Sequence, residues 1–180
     1  MNVTLRKAVA EDAVHLLDIY THYIQNTVAT FHEFTKTLEA YRQQIIELSA
    51  VYPFWVAEAE GRFLGFANAE PFRPQSGYRY TVELTIYLHP DAPKHAGIGR
   101  MLYKQVLDDL KAQGFVTALG CISGENEASI AFHRSFGFKE MAVFPRVAFK
   151  HGRWLNAIWM RKELLPTDTP PAEPVRADQR

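Results

Sequence analysis

Val82-Glu83-Leu84-Thr85-Ile86-Tyr87-Leu88, followed after five residues by Lys94-His95-Ala96-Gly97-Ile98-Gly99-Arg100, is the stretch whose reading decides the fold. The first segment alternates apolar and polar residues. It predicts a strand with Val82, Leu84, Ile86 and Leu88 on one face and Glu83, Thr85 and Tyr87 on the other. Beyond Gly97, residues Ile98, Leu102, Val106 and Leu110 recur at helical spacing with Met101 beside them, and Gly114 is a C-cap. Two glycines in the intervening turn let the backbone bend tightly and bring its N–H groups close to a ligand. The N–H groups of a first helical turn have no acceptor inside the helix, so they offer a nest for an anion. Acids normally occupy that turn, against the positive end of the helix dipole. Here it carries Lys94, His95 and Arg100, and no acid occurs from Ala92 to Val106. An anion from outside resolves the conflict, and a phosphate-bearing ligand is the simplest one.

Three phosphate patterns compete. A Walker loop needs Gly-Lys-Ser/Thr, and Gly99 is followed by Arg100-Met101. A dinucleotide fingerprint needs a third glycine, and position 102 is Leu102. The remaining pattern, a basic residue followed at fixed spacing by Gly97 and Gly99, resembles the pyrophosphate loop of the GCN5-related N-acetyltransferases (GNATs), which bind acetyl coenzyme A. Downstream, Asn126-Glu127-Ala128-Ser129-Ile130-Ala131-Phe132-His133 and then Phe136-Gly137-Phe138 resemble the second coenzyme-binding helix of the same superfamily. Tyr78-Arg79-Tyr80-Thr81-Val82-Glu83 and Lys150-His151-Gly152-Arg153-Trp154 are similar to the phosphinothricin acetyltransferase branch, which includes the methionine sulfoximine and sulfone acetyltransferases. The resemblance runs over residues 3–164.

Composition sets bounds. With 180 residues the chain suffices for one domain with a substantial core. Hydrophobic content of 47% and charged content of 22% are ordinary for a globular protein. A formal net charge of zero argues against a nucleic-acid or anionic-membrane surface. Cys121 is the single cysteine, so no internal disulfide forms. No apolar run approaches membrane-spanning length and the N-terminus lacks a signal pattern, which makes the cytoplasm the expected compartment. The expected organisation is a catalytic domain over residues 1–165 and a disordered tail, rich in Pro, Asp, Glu and Arg, over 166–180.

Elsewhere residues 3–7 predict a first strand, and an amphipathic helix follows Glu11-Asp12 with Leu16, Tyr20, Tyr23 and Ile24 on one side. Thr37 caps a second helix carrying Leu38, Tyr41, Ile45 and Leu48. Residues 54–59 and 63–69 flank Glu60-Gly61 as a hairpin. A strand over 116–122, a helix over 129–136 and two β segments over 139–149 and 154–161 complete the domain. Hairpins ahead of one strand-helix-strand unit predict an α/β (α+β) fold with a mixed, mostly antiparallel sheet, as the resemblance also implies.

Glu83 is the most consequential acid. It sits between apolar neighbours in mid-strand, where Glu is disfavoured, and burial would raise its pKa toward that of a useful general base. The resemblance places the base for the acceptor amine at this position. It also implies His133 as a second catalytic group, in a place where the wider superfamily often has a tyrosine acid. Implied for acetyl-CoA are the backbone of Ile86, Tyr87 and Leu88 for the pantetheine arm, with a backbone N–H near Leu88 for the oxyanion. The loop from Lys94 through His95, Ala96, Gly97, Ile98 and Gly99 to Arg100 would take the pyrophosphate, with Asn126 and Ser129 beyond it. Substrate candidates are Phe31 on an irregular lid segment, Arg73 and Tyr78 ahead of the strand, and Glu83, Leu84 and Thr85 on it. Arg73 is singled out because an amino-acid carboxylate favours an arginine partner.

The implied activity is acetyl transfer from acetyl-CoA to the α-amine of a small amino acid or analogue, of phosphinothricin, methionine sulfoximine or methionine sulfone type. It would serve detoxification or metabolism. Alternatives are another amine (a protein N-terminus, a polyamine or an aminoglycoside) or a non-catalytic coenzyme A sensor. The histidines show no metal-ligand spacing, so no metal is expected. The branch tends to form dimers, and a homodimer built on the aromatic C-terminal strands is expected, with no nucleic-acid or membrane partner.

Overall fold

The computed structural model describes residues 2–168 and 171–179. Its strands are β1 (Thr4–Lys7), β2 (Phe54–Ala59), β3 (Arg62–Pro71), β4 (Thr81–Leu88), β5 (Thr117–Ser123), β6 (Lys139–Lys150) and β7 (Arg153–Glu163). The helices are α1 (Ala13–Asn26), α2 (Leu38–Val51), α3 (Ile98–Gln113) and α4 (Glu127–Ser135), with short 3-10 turns at Ala10–Asp12, Ser76–Tyr78 and Ala177–Gln179. One sheet runs β1-β2-β3-β4-β5-β7-β6. Every neighbouring pair is antiparallel except β4 and β5, the two strands joined through α3. The mixed, mostly antiparallel α/β architecture expected from the sequence is therefore the one observed.

Alternation along the strands makes two layers of core. Phe54, Val56 and Phe66 face α1 and α2, where they pack with Leu16, Ile19, Tyr41, Ile45 and Leu48. Ala57, Ala67, Ala69, Val82 and Leu84 face α3, against its stripe Ile98, Leu102, Val106 and Leu110. Those four residues are at most 2% exposed, and each contributes about 1.5–3 kcal/mol by leaving water. Thr37 caps α2 as expected, its Oγ1 accepting from the Ala40 N–H at 3.2 Å. Gly97 opens α3 in the left-handed region (φ 76°) and Gly114 closes it there (φ 95°).

β4 and β5 are in register only at Thr81–Thr117, Val82–Ala118 and Glu83–Leu119. Beyond Glu83 the two strands separate, while β4 stays paired with β3 as far as Leu88 and β5 with β7 as far as Ser123. The C-terminal half of β4 thus borders a cleft in the middle of the sheet.

The C-terminal stretch expected to be disordered makes specific contacts over its described part. Val175 exchanges hydrogen bonds with Gln113: its N–H donates to the Gln113 carbonyl and its carbonyl accepts from Gln113 Nε2, both at 2.8 Å. Glu173 accepts from Arg79 Nε at 3.0 Å and from Tyr80 Oη at 2.9 Å. Polar composition alone concealed this, because the partners lie on α3 and ahead of β4. Among the described residues no helix is long and apolar enough to cross a membrane.

Candidate active site

A cavity of about 470 Å³ fills the cleft, walled by Glu83, Leu84, Thr85, Ile86, Tyr87 and Leu88 on one side and Gly120, Cys121 and Ile122 on the other. Asn126, Ser129, Phe132 and His133 of α4 and its cap close one end, and Phe31 and its neighbours in the loop between α1 and α2 close another. A second hollow of about 540 Å³ lies beside it, bordered by Lys94, His95, Ala96, Gly97, Ile98, Gly99 and Arg100. The two share Tyr23, Leu88, Gly99 and Phe132, so they form one continuous trough.

The main chain of β4 is directed by its ladder with β3. The Phe72 N–H donates to the Thr81 carbonyl at 3.4 Å and the His89 N–H to the Leu64 carbonyl at 2.8 Å. In an antiparallel ladder these bonds fix the parity: residues 81, 83, 85, 87 and 89 turn their backbone groups toward β3, and Leu84, Ile86 and Leu88 turn theirs into the cleft. Of the three residues expected to pair with a pantetheine arm, Ile86 and Leu88 are therefore so directed, whereas the N–H and carbonyl of Tyr87 belong to β3. The ring of Tyr87 lines the cavity instead, against Tyr20 and Tyr23. Tyr23 Oη donates to the Leu88 carbonyl at 2.8 Å, leaving the Leu88 N–H as the donor facing the cleft.

The half-buried Glu83 carboxyl is pushed up to about 7, first by desolvation and then by the charge of Glu70, with Arg73 opposing. Glu70, which the sequence reading did not single out, stands directly opposite Glu83 in the β3–β4 register and lines the same cavity. Burial also pushes the Cys121 thiol up to about 12, so it stays protonated in the wall.

His133 is 3% exposed. Its Nδ1 lies 2.8 Å from the Ser129 carbonyl. A carbonyl can only accept, so Nδ1 carries the proton and Nε2 holds a lone pair. Burial lowers the imidazole pKa and keeps the ring neutral. Gly120 makes room for it: a Cβ there would lie 2.9 Å from Nε2. The Asn126 Oδ1 accepts from the Ser129 N–H at 3.1 Å as the cap of α4, so its Nδ2 is the group left to donate.

Arg73 and Tyr78 are not in the cavity wall. The Arg73 guanidinium lies over the Phe72 ring, 4.5 Å from its centroid, and donates to the Phe72 carbonyl at 2.8 Å. Tyr78 meets the same ring edge-on. Phe72 in turn packs on Trp159 of β7, which anchors both residues at the rim.

The α3 end of the trough suits a pyrophosphate. His95 and Gly97 both take left-handed backbone, the first turn of α3 carries no acid, and Arg100 lies over the Phe136 ring with Nη1 3.2 Å from Ser135 Oγ. A sheet that parts beside such a helix start, with an elevated carboxyl at the parting, defines an acyl-coenzyme A-dependent transferase. The chain belongs to the GNAT family, whose acetyltransferase domain matches residues 5–159; it is an N-acetyltransferase with acetyl-CoA as co-substrate. It is 32% identical over 174 residues to a phosphinothricin N-acetyltransferase of Streptomyces viridochromogenes, covering 96% of this chain and 94% of that one. It is 35% identical over 174 residues to an L-methionine sulfoximine/L-methionine sulfone acetyltransferase of Pseudomonas aeruginosa, covering 95% and 100%. A GNAT superfamily phosphinothricin acetyltransferase from Sinorhizobium meliloti in complex with acetyl-CoA superposes with a TM-score of 0.91 at 36% identity, over 99% of this chain and 97% of that one. Among the described residues no three His, Cys, Asp or Glu side chains gather into a metal site.

Proposed function

We propose that the acceptor is the α-amine of a small amino acid or analogue of the phosphinothricin, methionine sulfoximine or methionine sulfone type, acetylated by direct attack while both substrates are bound. The observation that carries this reading is the meeting of a carboxyl elevated to about 7 with the open main-chain edge of β4 in one cavity. An ammonium must lose a proton before it can attack a thioester, and a carboxylate with a pKa near neutrality is suited to taking it. Glu83 accepts that proton. The amine lone pair forms the C–N bond as the Leu88 N–H supports the oxyanion. The C–S bond then breaks with its electron pair on sulfur, and one of the two N–H protons still on the nitrogen passes to the thiolate, the other staying on the amide. Neutral His133, with its lone pair on Nε2, is suited to accepting that proton in transit rather than to starting as the acid. Holding both substrates in one trough replaces a bimolecular encounter with an oriented one.

A second reading is favoured by one feature: the cavity wall includes Glu70 and Glu83 but neither Lys nor Arg. An acceptor without a carboxylate, such as a polyamine, would fit that charge pattern, whereas an amino acid must reach Arg73 at the rim. A thiol-release assay with acetyl-CoA decides between them. Turnover is expected with methionine sulfone, methionine sulfoximine or phosphinothricin in preference to spermidine. No turnover with any small amine overturns the proposed function, and tight acetyl-CoA binding without turnover would mark a sensor.

We also infer a cytoplasmic homodimer. β6 is an edge strand and exposes Met141, Val143, Phe144, Val147 and Phe149, with Trp154 of β7 beside them. A second copy covering this surface would bury an apolar patch that is otherwise an association hazard. Sedimentation should report a dimer, and Val143→Glu with Val147→Glu should shift it toward monomer.

A further inference from the structure

Glu70 and Glu83 are cross-strand partners in β3 and β4. The bonds at Phe72–Thr81 and Leu64–His89 make theirs a hydrogen-bonded pair, with Cα atoms about 5.5 Å apart. Side chains of such a pair lie on the same face, and both line the cavity. Like charges directly opposite on a sheet are destabilising. The other described acids that are not exposed are paired: Asp12 and Glu58 share Arg6, and Asp109 meets Lys7. Neither Glu70 nor Glu83 enters an ion pair among the described residues. Two half-buried acids without a protein cation, facing one cavity, are complementary to a cation brought from outside.

We propose that Glu70 is a second carboxylate of the acceptor site, a positioning residue that holds the incoming ammonium beside Glu83 and governs when Glu83 is free to take its proton. This rests on the amine-acetylating reading of the cavity. Glu70 lies under Tyr20, His32 and Lys36, with Asn68 and Thr85 the next cross-strand pair along the same face. Lys36 is turned to Gln44 Oε1 at 2.7 Å, so it tempers Glu70 without neutralising it. The groups facing Glu83 are Glu70 on β3, Arg73 beyond β3, Tyr87 on its own strand and Cys121 on β5. His133 of α4, Tyr20 and Tyr23 of α1 and His32 of the loop complete the set. Only Glu70 is an acid, so it alone adds negative charge to the cavity beside Glu83. Burial raises both carboxyls, and for Glu83 the charge of Glu70 adds to the desolvation.

The test uses Glu70→Gln, which keeps shape and removes charge, and Glu70→Asp, which keeps charge. Carbon-detected NMR of the free protein, labelled at Glu carboxyls, follows Glu83 without any substrate. The Glu83 midpoint is expected to fall by about half a pH unit or more in Glu70→Gln and to stay elevated in Glu70→Asp. In steady state, Glu70→Gln should move the acid limb of kcat/KM to lower pH and raise KM for the amine about tenfold, with KM for acetyl-CoA unchanged. An unchanged Glu83 midpoint in a folded Glu70→Gln protein overturns the proposal, as does an unchanged amine KM. If the wild type acetylates no amine, the functional reading fails by that result, while the titration still decides whether Glu70 governs Glu83.

Discussion

Lys150 Nζ donates to the main-chain carbonyl of Thr30 at 2.8 Å, and the lysine has no exposed surface. His151 Nε2 makes a second tie, 3.2 Å from the Thr27 carbonyl. The tip of the β6–β7 hairpin therefore grips the loop that carries Phe31 into the cavity, which gives the Lys150-His151-Gly152 segment a physical role. The left-handed pair His151 (φ 50°) and Gly152 (φ 74°) makes the tight turn that aims these side chains. Replacing Lys150 with Met keeps the stem but leaves the buried Thr30 carbonyl unpaired, at a cost of about 1–3 kcal/mol. KM for the amine should rise about tenfold as the loop loosens, with KM for acetyl-CoA little changed. Steady-state kinetics with each substrate varied in turn checks this.

Glu83→Gln should lower kcat by about 10²–10⁴-fold while leaving acetyl-CoA binding intact, measured by calorimetry. If Glu83 is the base as proposed, it must be ionised to act, and wild-type kcat/KM should climb as pH rises through about 7.

The same carboxyl links activity to stability. Its pKa rises from 4.5 to about 7 in the folded chain. Between those values the folded state holds a proton that the unfolded state has lost, so stability from this group falls as pH rises through that window. Above pH 7 the full cost is present. Glu83→Gln should therefore raise the Tm at pH 8 and lose that advantage near pH 4.5, which thermal melts at the two pH values will report.

Gly97→Ala forces a side chain into left-handed backbone at φ 76°, a strain of about 1–2 kcal/mol, in the turn that presents N–H groups to the pyrophosphate. If that turn holds the pyrophosphate as proposed, KM for acetyl-CoA should rise about tenfold with kcat nearly unchanged. Added salt should deepen the defect, because Lys94 and Arg100 act at the surface and are screened.

Truncation after Leu165 removes the Val175–Gln113 bonds and the Glu173 contacts to Arg79 and Tyr80. The exposed ion pair is worth little, and the two hydrogen bonds together about 1–3 kcal/mol. The Tm should fall by a few degrees while kcat is retained, since no described residue of the tail lines the cavity.

What the sequence disclosed was local. Alternation drew β4, helical spacing drew α3, and glycine chemistry located the turn between them, so the elements framing one end of the trough were legible at once. Glu83 was legible because it broke a local rule. Glu70 was not, because its meaning lies in a register with a strand thirteen residues away. Lys150 was visible as a motif, but its partner Thr30 is 120 positions distant. The backbone direction of Tyr87 follows from ladder parity, which side-chain alternation does not reveal. Arg73 was legible as a substrate candidate by charge and position, but its placement was not: the aromatic packing of Phe72 on Trp159 holds it at the rim rather than in the cavity wall.

The parting of β4 from β5 after Glu83 has an evolutionary consequence. The donor's arm would be read by peptide groups of Leu84, Ile86 and Leu88, and a peptide group survives any side-chain replacement that keeps the strand. Along β4, loyalty to the acyl carrier is thus shielded from most side-chain replacements, the glycine turn before α3 being the exposed point. The acceptor, on the proposed reading, would be met by side chains on β3, β4 and a tethered loop, each open to change one codon at a time. A descendant of this protein can exchange its amine freely while inheriting its carrier intact.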